Sequence, residues 1–394
     1  MSHEPTKLAL ARIAAGWSQT QLIGRMERMA PAVLGRGFHL PDRASLKTYV
    51  RRWENGHTVP GPEYRRLLRA VYDRTDEELG FPVGEDGVED VPPPPPLSTD
   101  GLAYFGELFT QHIWADNRLG PRPVVDLVKL QAQQLNNAAR DARGPIRHEL
   151  IRMTSRYYEF LGWLCQDCGR SGSAMAATDR ARDLALELGD PLWESYVLMR
   201  KSNIATDGDD AATGVALVDA ALRSVPAGPR RVHALVMRQK ANAHAALGEL
   251  QDFERAVDTG LTDVGHEATD GDQLAFYCTP SYVAMEAAAC WTQLGQPGRA
   301  LDVFDEVHAN WPEDLRRDKG LSLARVAAAR AAVGDRDRAC SIGREAVGIA
   351  AATGSARTVS ALRRVRREAG ERWRSDPEVQ AICAAIASLV SKAS

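Results

Sequence analysis

From residue 99 onward the chain reads only as helix after helix. Apolar residues recur at three- and four-residue intervals, and no segment alternates as a half-buried strand would. The breaks fall at Gly120-Pro121, Gly144-Pro145, Gly189-Asp190-Pro191, Gly228-Pro229 and Gly334-Asp335. Gly just past one helix end and Pro just inside the next start is the asymmetry expected of helix termini. The helices fall into pairs: 121–142 with 145–166, 172–188 with 191–205, 210–224 with 230–246, 250–260 with 275–294, 297–308 with 315–333, and 336–352 with 355–371, followed by 377–391. Three turns place a Gly five residues before an Ala: Gly169/Ala174, Gly295/Ala300 and Gly334/Ala339. The Gly permits a left-handed turn, and the Ala lets the second helix approach closely. A single pair cannot bury its apolar stripe, so the pairs must stack. The expectation is an all-α fold whose C-terminal part is an α-solenoid with a concave groove.

Charge divides the chain. Residues 1–74 hold a balance of +7, whereas the whole chain carries −3. A basic head on an acidic body points the head toward a polyanion. Between them, residues 81–98 (FPVGEDGVEDVPPPPPLS) form an acidic and then proline-rich linker. Pro92–Pro96 cannot join a helix or sheet and suits a stiff polyproline spacer. The expected domains are therefore 1–80, the linker 81–98, and 99–394. The six cysteines are too sparse for a disulfide framework. The N-terminal MSHEPTKLAL lacks the apolar core of a signal peptide. The longest apolar run, Ala381–Val390, is half a membrane span. A cytoplasmic protein with no membrane partner is expected.

Four helices are legible in the head. Leu8–Ala15 ends at Gly16, a second begins after the N-cap Ser18, a third is Ser45–Trp53 and a fourth Pro62–Tyr72. Met29–Arg43, with Pro31, Gly35, Gly37 and Pro41, reads as an inserted loop, from which Arg36, His39 and Arg43 could add contacts to a nucleic-acid backbone. The third helix combines Ser45, Lys47, Thr48, Arg51 and Arg52, residue types that bond phosphates and base edges. Arg65, Arg66 and Arg69 on the fourth read as a solvated face.

Two segments of the head, GWSQTQL (Gly16–Leu22) and VRRWENGHTVP (Val50–Pro60), resemble the second-helix start and the recognition-helix end of Xre (Cro/C1)-type helix-turn-helix transcriptional regulators. The segments GWLCQDCGRSGSAMAATDRARDLALELGD (Gly162–Asp190) and LGPRPVVDLVKLQAQQL (Leu119–Leu135) resemble the tetratricopeptide-like body found behind such heads in actinobacterial regulators. The resemblance implies a helix-turn-helix domain followed by a tetratricopeptide-like domain. It implies that Gln19, with Thr20 beside it at the second helix's start, braces a DNA phosphate. Ser45, Lys47, Thr48, Arg51 and Arg52 would make up the DNA-facing set, Trp53 would pack in the core, and Glu54 would pin Arg52 or another basic residue. It implies double-stranded DNA as partner, a homodimer on a two-fold operator, and a signalling peptide, small molecule or protein in the groove. The family otherwise passes from second to third helix in a few residues, so the Met29–Arg43 insertion departs from its pattern.

Two matching segments, LMRKSN (Leu198–Asn203) and VMRQKAN (Val236–Asn242), mark the groove. Their Arg200, Asn203, Arg238, Gln239 and Asn242 suit a ligand's backbone, since an amide both donates and accepts. Tyr157, Tyr277 and Tyr282 are expected on the same face, beside Tyr158. No cofactor, metal or catalytic residue is expected: there is no P-loop, GxSxG, HExxH or dinucleotide fingerprint, and Cys165-Gln-Asp-Cys168 lacks the further ligands of a zinc site. The alternative to a DNA-binding regulator is an interaction adaptor, in which the solenoid grips another regulator and the head does not read DNA.

Overall fold

The computed structural model describes residues 5–35, 38–81, 97–267, 274–308, 311 and 315–393. The linker reading over Pro92–Pro96 and the role suggested for Arg36 lie outside the described residues. The chain divides into two compact units, Met1–Pro94 and Pro95–Ser394. Every regular element among the described residues is helical, and none is long and apolar enough to cross a membrane.

The first unit contains α1 (Lys7–Ala14), α2 (Gln19–Val33), α3 (Arg43–Glu54), α4 (Pro62–Tyr72) and the short α5 (Asp76–Leu79). Its core is one cluster built on Leu8, Leu22, Met26, Leu46, Val50, Trp53, Leu67, Leu68 and Leu79. Each fully buried aliphatic side chain there contributes roughly 1.5–3 kcal/mol. Ser18 and Gln21 form a reciprocal capping box at the start of α2.

Two boundaries differ from the sequence reading. Helix α2 continues through Met29 to Val33, so the expected Met29–Arg43 loop is only its second half. The stripe Leu22, Met26 and Ala30 extends the buried face past Pro31. Pro31 sits on the solvent side in the last turn, where its missing N–H removes a single hydrogen bond. Helix α3 begins two residues earlier than expected, because the Asp42 carboxylate accepts from the Ala44 and Ser45 N–H groups at 2.9 Å each. α5 had no sequence forecast; a Thr75/Glu78 capping box starts it.

The second unit begins with α6 (Thr99–Leu119), a helix that the sequence pairing left unassigned. It is followed by α7 (Arg122–Asp141), α8 (Gly144–Asp167), α9 (Ser171–Leu188), α10 (Pro191–Asp207), α11 (Ala211–Ser224), α12 (Arg230–Leu247) and α13 (Leu250–Val264). Then come α14 (Pro280–Gln293), α15 (Pro297–His308), α16 (Arg316–Val333), α17 (Arg336–Thr353), α18 (Ala356–Arg372) and α19 (Pro377–Ala393). The helices pack in adjacent pairs. The small residues after the turns behave as expected: Ala174, Ala300 and Ala339 are almost completely buried. Helix α14 starts at Pro280, later than the expected 275, because Thr279 caps it by accepting from the Tyr282 N–H.

The stack of pairs curls until its last members meet its first: α16 packs on α6, and α18 on α8. Gly120 makes this closure possible. Its φ of +86° ends α6, and a Cβ there would collide with the Thr353 carbonyl. The expected concave groove is thus closed on itself rather than open along one side.

Candidate nucleic-acid face and polar cavity

In the first unit, α3 buries Leu46, Val50 and Trp53 and turns Lys47, Thr48, Arg51 and Arg52 to solvent. Trp53 locks the helix against Tyr64 of α4, with ring centroids 5.1 Å apart. Buried Glu54 anchors the C-terminal end. It accepts from Arg12 Nε at 2.5 Å, Arg12 Nη2 at 3.1 Å and Gln19 Nε2 at 2.7 Å. One carboxylate therefore joins α1, the start of α2 and the end of α3. Its partner is Arg12, so the alternative that Glu54 pins Arg52 is corrected.

Among the described residues, Lys47, Arg51 and Arg52 enter no side-chain hydrogen bond or ion pair. Neighbouring cations are engaged locally. Arg43 grips Glu27, Arg66 donates to the Val33 carbonyl at 2.6 Å, and Arg69 lies 3.6 Å from Asp76. The Ser45 hydroxyl donates to Asp42 at 3.1 Å, and Thr48 donates to the Ala44 carbonyl at 3.1 Å. Gln19 is held by Glu54, while Thr20 is exposed. The outward positive charge of α3 is thus Lys47, Arg51 and Arg52, with Arg51 and Arg52 in the last turn, where they complement the helix dipole.

In the second unit, the second helices of successive pairs line the interior. One charged residue from each forms a ladder: Glu159 (α8), Arg200 (α10), Arg238 (α12), Glu286 (α14) and Arg325 (α16). Arg200 Nε donates to Glu159 at 2.9 Å. Arg325 holds Glu286 through both guanidinium nitrogens, at 2.5 and 3.3 Å, and Arg238 approaches Glu286 at 3.9 Å. An amide ladder runs beside it. Gln166 donates to Asn203 at 2.9 Å, Asn203 to Gln239 at 3.1 Å, and Gln239 to the Ser202 and Thr206 hydroxyls. Asn242 lies half-buried beyond Gln239.

The ladders largely satisfy one another, as buried polar groups tend to, although Arg238 Nε finds no hydrogen-bond partner among the described residues. Burial would raise the Glu286 carboxyl, but Arg325 and Arg238 outweigh it and hold the group at about 2. Glu159 is raised, because burial outweighs the attraction of Arg200.

The expected groove residues are therefore brought together, but mostly as this network. Arg200, Asn203, Arg238 and Gln239 are buried. The Tyr277 and Tyr196 hydroxyls meet at 3.1 Å, and Tyr282 packs edge-on to Tyr277 under Arg238. Tyr157 is corrected: it is fully buried between α6 and α8, donates to the Phe105 carbonyl at 2.8 Å and lines no groove. It has an apolar ring at a core position of α8, and the identity of that core neighbour was not visible without α6.

Beside the network lies a cavity of about 450 Å³, walled by α8, α10, α12, α14, α16 and α18. Glu286, Arg325, Arg357 and Gln166 reach it, none of them singled out in the sequence, and so does Arg364, which the sequence reads with Arg363, Arg366 and Arg367 as a solvated face. Counted back from the turn glycines Gly169, Gly208, Gly248, Gly295 and Gly334, Glu159, Arg200, Arg238, Glu286 and Arg325 stand at 10, 8, 10, 9 and 9 residues, within one helical turn but not in one column, so aligning the turns alone does not single them out. Nor did any such signal exist for Arg357 and Arg364, which come from the returning α18.

A buried clasp closes the curl. Arg317 pairs with Asp116 and donates to Asn117 at 3.2 Å, while Ser355 donates to Asp167 at 2.6 Å. Trp163 donates to Asp116 at 3.0 Å, and the guanidinium carbons of Arg200, Arg317 and Arg357 each lie 4.8 Å from its ring. Burial pushes the Cys168 thiol up to about 11, which disfavours its thiolate.

No family model matches this chain, and no curated protein matches it.

Proposed function

We propose that the protein is a cytoplasmic, DNA-binding transcriptional regulator. The first unit is an Xre-type helix-turn-helix domain with α3 as recognition helix. The second is a tetratricopeptide-like domain that senses a small ligand or peptide and holds a homodimer together. The observation that carries this reading is the outward face of α3, where Lys47, Arg51 and Arg52 have no acidic partner among the described residues. The helix beneath them is fixed at both ends, by Asp42 and by the Glu54 bridge. Unpaired cations on a rigid helix supply both the counterion release that drives DNA binding and the side chains that read a groove.

The test is retention of random duplex DNA by the full-length protein at moderate salt, followed by sequencing. A palindromic consensus with half-sites about one helical turn apart (~34 Å) is expected. Lys47→Ala with Arg51→Ala should abolish enrichment and lower the salt dependence of binding by about two phosphate contacts. Unenriched fragments, or affinity unchanged by the double substitution, would refute the reading.

A further inference from the structure

We propose that the half-open cavity of the helical-repeat unit is a binding site for a small organic carboxylate, with Arg364 as the residue that receives the carboxylate. The cavity has the size of a small-ligand site, about 450 Å³. Its charged lining is unbalanced. Glu286 is neutralised by Arg325, and Asp207 lies 3.7 Å from Arg357. Arg363 and Arg364 then remain, and among the described residues neither has a carboxylate within ion-pair distance.

Arg363 sits at the exposed rim, whereas Arg364 is half-buried. A desolvated guanidinium with no counter-charge in ion-pair contact is costly. Burial, reinforced by Arg367 and only partly offset by Glu368 one turn along α18, lowers the Arg364 pKa from its ordinary value. An anion supplied from outside would complete the site in the way Glu286 completes Arg325. The rest of the lining suits the body of such a molecule. Ala289, Ala328, Ala356 and Val359 offer small apolar surface, and Asn242 and Gln293 offer amides. A planar carboxylate matches the guanidinium fork in a bidentate pair.

The inference deepens the sensing half of the proposed function and rests on it for biological meaning, but not for its test. The carboxylate could come from a peptide's C-terminus or from a free organic acid. Calorimetry on the full-length protein would compare N-acetyl-Leu-Ala-Ala with its C-terminal amide, and 4-phenylbutyrate with 4-phenylbutyramide. At least one acid should bind tenfold or more tightly than its amide, and which one does so identifies the source. Arg364→Gln should erase that preference, and Arg364→Lys should keep part of it. Acid and amide binding alike, neither acid binding at millimolar concentration, or a preference that survives Arg364→Gln would each overturn the proposal. The same acids would be added to the DNA-retention assay. Binding without any change in DNA retention leaves the cavity site standing and removes the sensing role. DNA retention with no acid bound leaves the DNA-binding reading standing and overturns the cavity site.

Discussion

Replacing Arg317 with Met should release the clasp that closes the helical-repeat unit. Arg317 is almost wholly buried and faces Asp116 and Asp167, which are 2% and 1% exposed. Removing the cation leaves two buried carboxylates sharing Trp163, Ser355 and the Arg357 N–H. Breaking a buried ion pair from one side costs about 3–5 kcal/mol. For a unit of this size that lowers the melting temperature by roughly 5–8 °C.

The cost should depend on pH. Burial already pushes Asp116 up to about 6 even with Arg317 present. A carboxyl raised in the folded state binds more protons there than when unfolded. Its contribution to stability therefore falls as pH rises from its ordinary value toward about 6. Without Arg317 the Asp116 pKa rises further, so the penalty should be small near pH 5 and full near pH 8. Urea unfolding of wild type and variant at both pH values, followed by circular dichroism, measures this. Amide exchange in α6 should rise at the same time. A loss below about 1 kcal/mol at pH 8, or one that is the same at pH 5, would refute the argument that buried charge holds the closure.

Three further outcomes are expected. Glu54→Ala leaves Arg12 and Gln19 without their acceptor and should cost the first unit about 1–3 kcal/mol, weakening DNA retention although no outward residue of α3 changes; chemical denaturation of the 1–94 unit within the full chain reads it. Gly120→Ala adds about 1–2 kcal/mol of left-handed backbone strain to a collision with Thr353, so its melting temperature should fall while the first unit's unfolding is unaltered. Glu286→Gln leaves Arg325 and Arg238 buried without a counter-charge and should destabilise by about 3–5 kcal/mol at neutral pH. Because Glu286 is depressed to about 2, the wild-type benefit is fully present above about 4.5 and is lost as pH falls toward about 2; acid titration of the two proteins should converge in that window.

The helix pairs were legible because turn chemistry is local. Gly189, Gly248, Gly334 and Gly354 each end a helix in the left-handed conformation, and proline or an Asx cap starts the next at Pro191 and Asp335. The third helix of the head was legible from Ser45 to Trp53 because its apolar period and its charges agree. Its true start at Arg43 was hidden by reading Pro31 as a loop signal, where the buried stripe of α2 prevailed. Arg200, Asn203, Arg238 and Gln239 were found because two successive segments repeat the same pattern. Their bonding to one another was not legible, since polar residues on an amphipathic helix look alike whether they face solvent or one another.

By itself the sequence determined the all-helical class, the pairing of the helices, the charged split between head and body, and the basic face of α3. These depend on residues near one another in the chain. The closure of the stack, the clasp of Asp116, Asp167, Ser355 and Arg317, and the cavity with Arg364 in its wall were decided only by tertiary structure. Asp116 and Arg317 stand 201 residues apart. Small rotations between successive pairs accumulate until α16 and α18 return to α6 and α8, and no local pattern encodes that sum.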